Sequence, residues 1–172
     1  MPPPSNRPRR ADNGEPPRLA IGPAAPVDVP SLLALENAAF TGDRLTRRSL
    51  ARLVGTASSR FLVARADGAL AGYVIVLLHR RRRAARIYSL AVAAGFAGRG
   101  IGRALVEAGC DAARLAGREA VTLEVRTDNC RAIALYRRSG FAESARLEDY
   151  YEDGQAALRM VRALCPSDGA RA

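Results

Sequence analysis

Apolar positions recur along the chain with two different periods, and the switches between them outline the fold. Residues 1–17 hold prolines, arginines and other polar residues with almost no large apolar side chain. Such a segment cannot bury enough surface to offset the entropy of ordering it, so a disordered arm is expected there. The pattern starts at Arg18. "RLAIG" (18–22) predicts a short strand. "PVDVPSLLALENAAF" (26–40) predicts a helix, with Asp28 as its cap, Pro30 in the first turn, and Leu32, Leu35 and Ala39 on one face. "TRRSLARLVG" (46–55) predicts a second, short helix ending at Gly55. "RFLVARADGALAGYVIVLLHR" (60–80) is two apolar runs joined by Asp67-Gly68, a hairpin signal. "RIYSLAV" (86–92) is a third strand, reached through a turn at Arg80–Arg83.

A glycine-rich stretch, "AGRGIGRALVEA" (97–108), then opens a helix running to about Ala116. Leu105, Ala108, Ala112 and Leu115 recur at steps of three and four, which predicts an apolar stripe, and Gly117 ends the helix. "AVTLEV" (120–125) reads as a strand, and "NCRAIALYRRSG" (129–140) as a helix with Asn129 near its start and Gly140 just past its end. "FAESARL" and "AALRMVRAL" are two closing strands around the loop "EDYYEDG" (148–154), and residues 165–172 read as a flexible tail. The order predicts one mixed α/β domain over residues 18–164, antiparallel at first. Its central strand–helix–strand unit should place two strands parallel.

A length of 172 residues fits one domain plus tails. No run approaches the ~20 apolar residues of a membrane span, and the N-terminus lacks the apolar core of a signal peptide. A soluble cytoplasmic protein without a membrane partner is expected. The formal net charge is +10, and all 27 basic residues are arginine. A chain without lysine has no Schiff-base lysine and no Walker-type phosphate lysine. The charge favours anionic partners. Cys110, Cys130 and Cys165 have no CxxC spacing, which argues against zinc and against a disulfide framework. His79, the single histidine, opens the run "HRRRR" with no orienting carboxylate beside it, a poor basis for a nucleophilic pair. Arg80–Arg83 read as a solvated hairpin tip. An RNA-binding module would interleave stacking aromatics with the arginines, and none lie in this run, so direct nucleic-acid binding is not expected.

The glycines carry the chemistry. A loop entering a helix N-terminus presents unpaired N–H groups and the positive end of the helix dipole, and glycines let the backbone approach a phosphate closely. Gly98, Gly100 and Gly102 alternate with Arg99, and Arg103 follows. Without lysine this is not a P-loop. The dinucleotide fingerprint fails too, since its third glycine is Arg103 in one register and Leu105 in the other. An acyl-CoA pyrophosphate loop is the third type that competes.

Four blocks taken in order resemble the GCN5-related N-acetyltransferase (GNAT) family, and within it the RimI-like group that acetylates ribosomal-protein N-terminal alanine. They are "RIYSLAV", the glycine loop, "LEVRTDNCRAIALYRRSGF" (123–141) and "DYYEDGQAALRM" (149–160). Two positions depart from the family pattern: Ala97 replaces a glutamine or arginine, and Ala156 replaces an acidic residue. The resemblance implies a mostly antiparallel sheet with a central parallel, splayed strand pair and flanking helices. It implies acetyl-CoA as co-substrate and no metal. Leu90, Ala91 and Val92 would bind the pantetheine arm, with a backbone N–H near Val92 as oxyanion donor. Gly98, Arg99, Gly100, Ile101, Gly102 and Arg103 would cradle the pyrophosphate, and Asn129 would touch the cofactor while capping its helix. Glu124 would be the general base and Tyr136 the general acid for the CoA thiolate. The residues also allow a plainer account: Glu124 paired with Arg126 on one strand face, and Tyr136 packed in the core with Ala132 and Ile133.

The acceptor implied is a protein or peptide N-terminus, a ribosomal protein among the candidates. An α-amine, with a pKa of roughly 7.7–8.0 against about 10.4 for lysine, is the easier amine to deprotonate. The acidic stretch Glu143, Glu148, Asp149, Glu152 and Asp153, with Tyr150 and Tyr151, could receive a cationic amine. Lysine side chains, small-molecule amines and a non-catalytic acyl-CoA sensor are the alternatives. Monomer and homodimer are both open.

Overall fold

The computed structural model describes residues 18–164; the expected arm and tail lie outside them. Eleven elements follow in the predicted order. They are β1 (Leu19–Pro23), α1 (Val29–Ala39), α2 (Arg47–Gly55), β2 (Ser59–Ala66), β3 (Ala69–Leu77), β4 (Ala84–Val92), α3 (Ile101–Leu115), β5 (Ala120–Arg126), α4 (Cys130–Arg138), β6 (Ala142–Leu147) and β7 (Ala157–Ala163). They form one seven-stranded sheet in the order β1-β2-β3-β4-β5-β7-β6. The fold is a single α/β domain. Every neighbouring pair is antiparallel except β4 and β5. Asp67 and Gly68 both have positive φ, the backbone a two-residue hairpin turn needs to match strand twist.

The sheet separates two cores. On one face α3 and α4 cover Val74, Val76, Ile87, Leu123 and Met160 with Leu105, Val106, Ile133 and Tyr136. On the other, α1 and α2 set Leu32, Leu35, Leu50 and Leu53 against Phe61, Val63, Tyr73 and Ile75. Three expectations change here. The α3 stripe is rotated: Ile101, Leu105, Val106, Gly109, Cys110 and Ala113 are buried, while Leu115 is 86% exposed. At Gly109 the helix sits so close that a Cβ there would lie 3.1 Å from Val76. In α1 the third inward residue is Glu36, not Ala39; it is 1% exposed. Its Oε1 accepts the Leu45 N–H at 2.8 Å and its Oε2 accepts the Tyr73 hydroxyl, so the carboxyl group is buried with its bonds made. Asp28 does not cap α1. Its carboxylate turns back to the Ala25 N–H at 2.8 Å and to Arg65 at 2.6 Å, across a 3-10 turn at Pro26–Asp28.

The feature that makes a site is the parting of β4 from β5. They pair only at Ala84–Arg86 with Ala120–Thr122, although both strands continue. Against β3, β4 carries one extra residue, Tyr88, since Ile75 faces Ser89 and Val76 faces Ile87. A bulge bends its strand and increases twist. Immediately past the last β4–β5 pair, this one steers β4 away. Beyond the bulge β4 lies hard against β3: a Cβ on Gly72 would stand 2.7 Å from the Ala91 carbonyl.

Candidate active site

The gap leads into a cleft of about 1230 Å³. Its floor is Leu90–Ala94 of β4, one wall is α1 with Ala34 and Ala38, and its mouth is the glycine loop with Arg103. Ala93 donates its N–H to Ala71 at 2.9 Å. Backbone direction alternates along a strand, so the N–H and C=O groups of Leu90 and Val92 face the side from which β5 has withdrawn. They form a polar edge open to a linear ligand.

At the mouth, Gly98 and Gly100 have φ of 78° and 76°, and Gly100 is the residue preceding the first turn of α3. The Ala104 N–H closes the first helical bond, to Gly100 O at 3.0 Å. The amides of Ile101, Gly102 and Arg103 therefore have no partner within the helix. Apart from the chain neighbours, nothing lies within 4 Å of a Cβ placed on Gly98 or Gly100, so there is room for a ligand beside the loop. Arg103, Arg131 and Arg138 line the cleft, and no carboxylate does among the described residues. A dipole end, free amides and three guanidiniums together suit a multiply charged anion.

The predicted binding residues divide by position. Leu90, Ala91, Val92, Gly98, Gly100, Gly102, Arg103 and Asn129 line the cleft. The Asn129 Oδ1 accepts the Ala132 N–H at 3.1 Å and so caps α4. Ile101 is buried in the core and offers only its amide. Arg99 lies over the Phe96 ring at 5.3 Å, outside the lining. Arg131, Leu135 and Arg138 were missed; their i, i+4, i+7 spacing on α4 is the signal that could have found them. Ala97 lines the cleft with a methyl group where a polar side chain was the expected pattern.

Glu124 and Tyr136 occupy opposite faces of the sheet. Alternate residues Val121, Leu123 and Val125 are buried toward α3, so Glu124 points to the other face. Its side chain is 6% exposed. Oε2 accepts from Arg86 Nε at 2.7 Å and Oε1 from Arg159 Nε at 3.0 Å. The expected pair with Arg126 does not form; Arg126 binds Asp128 and Asp153. Same-face neighbours along a strand stand roughly 6.7 Å apart, whereas directly opposed residues are closer, and Arg159 is directly opposite Glu124. A carboxylate offers about four lone-pair directions, so two remain open after both guanidiniums are bound.

Tyr136 packs in the α3/α4 core, edge-on to Phe141 at 5.9 Å between ring centres. Burial pushes its phenol up to about 12, and the nearby Tyr151 adds to this. Tyr151, itself pushed up chiefly by burial and then by Tyr150, also senses Glu124, and so stands electrostatically between the two predicted groups. The loop bearing it is strapped to the end of β5. Thr127 N donates to Ala156 O at 3.1 Å, Gln155 donates to Thr127 at 3.2 Å, and Arg126 binds Asp153 at 2.8 Å. Ala156 is buried in that joint. The acidic stretch is largely neutralised: Glu143 pairs with Arg137, Glu148 with Arg146, and Asp153 with Arg126.

His79 is exposed in the β3–β4 turn and does not line the cleft. Arg83 pairs with Glu119 there at 3.2 Å, and Arg118 donates to the Arg82 carbonyl. Cys110 is buried and Cys130 exposed, both as free thiols, and Cys165 lies outside the described residues. Among the described residues no helix is long and apolar enough to cross a membrane.

Comparison with known proteins agrees with this geometry. Residues 29–141 match the acetyltransferase (GNAT) family. The chain is 32% identical over 148 residues to the N-alpha-acetyltransferase RimI of Mycobacterium tuberculosis, covering 84% of this chain and 92% of that one. It is 38% identical over 113 residues to the streptothricin acetyltransferase of Streptomyces lavendulae, covering 63% and 59%. The crystal structure of the ribosomal-protein-S18-alanine N-acetyltransferase from Escherichia coli superposes with a TM-score of 0.77 at 25% identity, covering 90% and 99%. The chain spans about half the length of several curated relatives it matches. A matched family region of this extent, on this sheet and around this cleft, makes the chain a member of the GNAT acetyltransferase family.

Proposed function

We propose that the chain is an acetyl-CoA-dependent N-acetyltransferase whose acceptor is a protein N-terminal α-amine. One observation carries the reading: β4 and β5 part between a cleft that suits a CoA pyrophosphate, lined by residues of α1, α3 and α4, and the Glu124 carboxylate of β5. The residues present fit the co-substrate. Free amides of α3 and Arg103 suit the pyrophosphate, the Leu90–Val92 edge suits the pantetheine amides, and Arg131 and Arg138 suit further phosphate charge. Acetyl-CoA supplies an activated thioester. The Val92 N–H, facing the gap, is the oxyanion donor. Glu124, through its open lone pairs, takes the proton from the incoming ammonium directly or through one water. Tyr136 keeps its proton through the neutral range and offers it to the departing sulfur.

The M. tuberculosis and E. coli relatives, named for α-amine and ribosomal-protein-alanine acetylation, support the acceptor. The similarity to a streptothricin acetyltransferase favours a second reading, a small-molecule amine. Thiol release from acetyl-CoA decides between them, measured on free N-terminal Ala, Ser and Met peptides, N-blocked lysine peptides and polyamines. We expect turnover on free N-termini, lost in both Glu124→Gln and Tyr136→Phe. Turnover only on lysine or polyamine overturns the acceptor, and tight acetyl-CoA binding without turnover on any amine overturns the enzyme.

A further inference from the structure

Around Glu124 the acceptor face is more positive than a receptor for ammonium groups should be. Past β4 this side of the sheet has no covering helix among the described residues, and Arg86 and Arg159 flank the carboxylate there. Their side chains are 33% and 45% exposed, so both guanidiniums are reachable from solvent. Each uses only its Nε on Glu124. One terminal nitrogen of Arg86 donates to the Tyr150 hydroxyl at 3.0 Å. The terminal nitrogens of Arg159 have no partner among the described residues. One carboxylate between two guanidiniums leaves a net positive charge at the amine's destination.

The surroundings continue the bias. Tyr88 and Tyr150 are both exposed, at 45% and 40%, and Arg86 touches both, lying 5.8 Å from the Tyr88 ring centre. Tyr88 also borders a hollow of about 470 Å³ whose single charged lining residue is Arg52. Arg52 has no carboxylate partner among the described residues. The remaining lining is polar and uncharged, through Ser49, Thr56 and Ser58, or apolar. In the β6–β7 loop, Glu148 and Asp153 are paired with arginines, and Asp149 and Glu152 have no arginine partner among the described residues.

We propose that Arg86 and Arg159 select the acceptor: the site takes amines borne on peptides with a carboxylate side chain in the first residues after the N-terminal one, and disfavours polycationic amines. Resting on the N-terminal reading above, this names its substrate class. The guanidinium forks suit a carboxylate in geometry as well as in charge. Glu124 keeps the α-amine while the free Arg159 nitrogens take the side chain two or three bonds beyond the first peptide unit. The tyrosines border the path between. Both arginines act on specificity through the acceptor and on Glu124 through its orientation, so the test must separate the two.

Isosteric peptide pairs do so. The probes are Ala-Asp and Ala-Asn, and Ala-Glu and Ala-Gln, each at the start of one uncharged decapeptide, with spermidine as the polycation. The ratio of kcat/KM between acid and amide peptides cancels any general loss of catalysis. We expect about tenfold preference for the acid, the equivalent of about 1.4 kcal/mol, falling as salt is raised. Arg159→Gln should bring the ratio near one, and Arg159→Lys should retain part of it. Calorimetric titration of the same peptides into CoA-loaded protein gives the binding ratio without turnover. A ratio of one in the unsubstituted protein, a ratio unchanged in both Arg159→Gln and Arg86→Gln, or spermidine as the better acceptor overturns the proposal. Turnover without acid preference overturns it and leaves the N-terminal reading standing. Acid-selective binding without turnover on any peptide upholds selection and overturns the enzyme reading.

Discussion

The left-handed backbone at Gly98 and Gly100 gives a quantitative test of the anion cradle. Any residue with a Cβ pays roughly 1–2 kcal/mol to hold that conformation. No steric clash adds to the cost, because space around both positions is open. The double variant Gly98→Ala/Gly100→Ala should therefore lose about 2–4 kcal/mol in total. Where that loss appears depends on the loop. If the loop keeps its shape, the strain resides in the free protein, and Tm falls by about 2–4 °C per kcal/mol for a domain of this size. If it relaxes to a right-handed backbone, the amides turn from the cleft and the cost returns on binding, raising the Kd for CoA about tenfold per 1.4 kcal/mol. The two losses should sum to the same total. Thermal unfolding and calorimetric CoA titration on the same preparations measure both. Asparagine tolerates the left-handed region, so Gly98→Asn/Gly100→Asn should lose less than the alanine variant. An alanine variant with unchanged Tm and unchanged Kd refutes the reasoning, as does an asparagine variant that suffers equally.

Two further predictions concern buried hydroxyls. Tyr136 has its phenol pushed up to about 12, against about 10 in the unfolded chain. The stability this contributes is fully present below pH ~10 and is lost as pH rises from there through the folded value, since the unfolded phenol ionises first; Tyr136→Phe should flatten that alkaline decline in urea unfolding. At neutral pH the same substitution should lower kcat by about 10²-fold or more, and an unchanged kcat would contradict the assignment. Tyr73→Phe removes one of two donors to the buried Glu36 carboxylate, which should cost about 1–3 kcal/mol. Glu36→Gln keeps an acceptor for Leu45 or Tyr73 and should cost less. Equal Tm losses would show that packing rather than the hydrogen bonds sets the cost.

Element order and the glycine loop were legible because both depend on local rules. The hairpin at Asp67-Gly68, the Asn129 cap and the Gly140 stop each need only a few neighbouring residues. Errors arose where a distant partner decides. The α3 stripe read as Leu105, Ala108, Ala112 and Leu115 is sound as periodicity, yet the helix packs on the face of Ile101, Leu105, Val106, Gly109, Cys110 and Ala113, with Gly109 close against Val76. The inward place of Glu36 depends on two partners nine and 37 residues away. The plainer alternative, Glu124 paired with Arg126, fails for the same reason: the register that sets Arg159 opposite Glu124 cannot be read from β5 alone. Of the two predicted catalytic residues, the core packing of Tyr136 with Ala132 and Ile133 was visible in their helical spacing, whereas the contacts of Glu124 were not.

The parting of β4 from β5 joins these local and distant effects, and it explains why the site lies where it does. A βαβ unit alone would pair its two strands along their length. Here the extra residue at Tyr88 redirects β4 just after Arg86, and the absence of a Cβ at Gly72 lets β4 follow β3 instead. The same turn reverses which side chains face each core: Ile87 lies toward α3, whereas Ser89 reaches Tyr73 on the α1 face at 3.1 Å. Backbone groups of Leu90 and Val92 are thus left without a strand partner, which would be costly if they were buried without a ligand or water. One inserted residue thereby opens the passage between the two faces, frees the polar edge that lines it, and leaves exposed Tyr88 beside the arginines that flank Glu124.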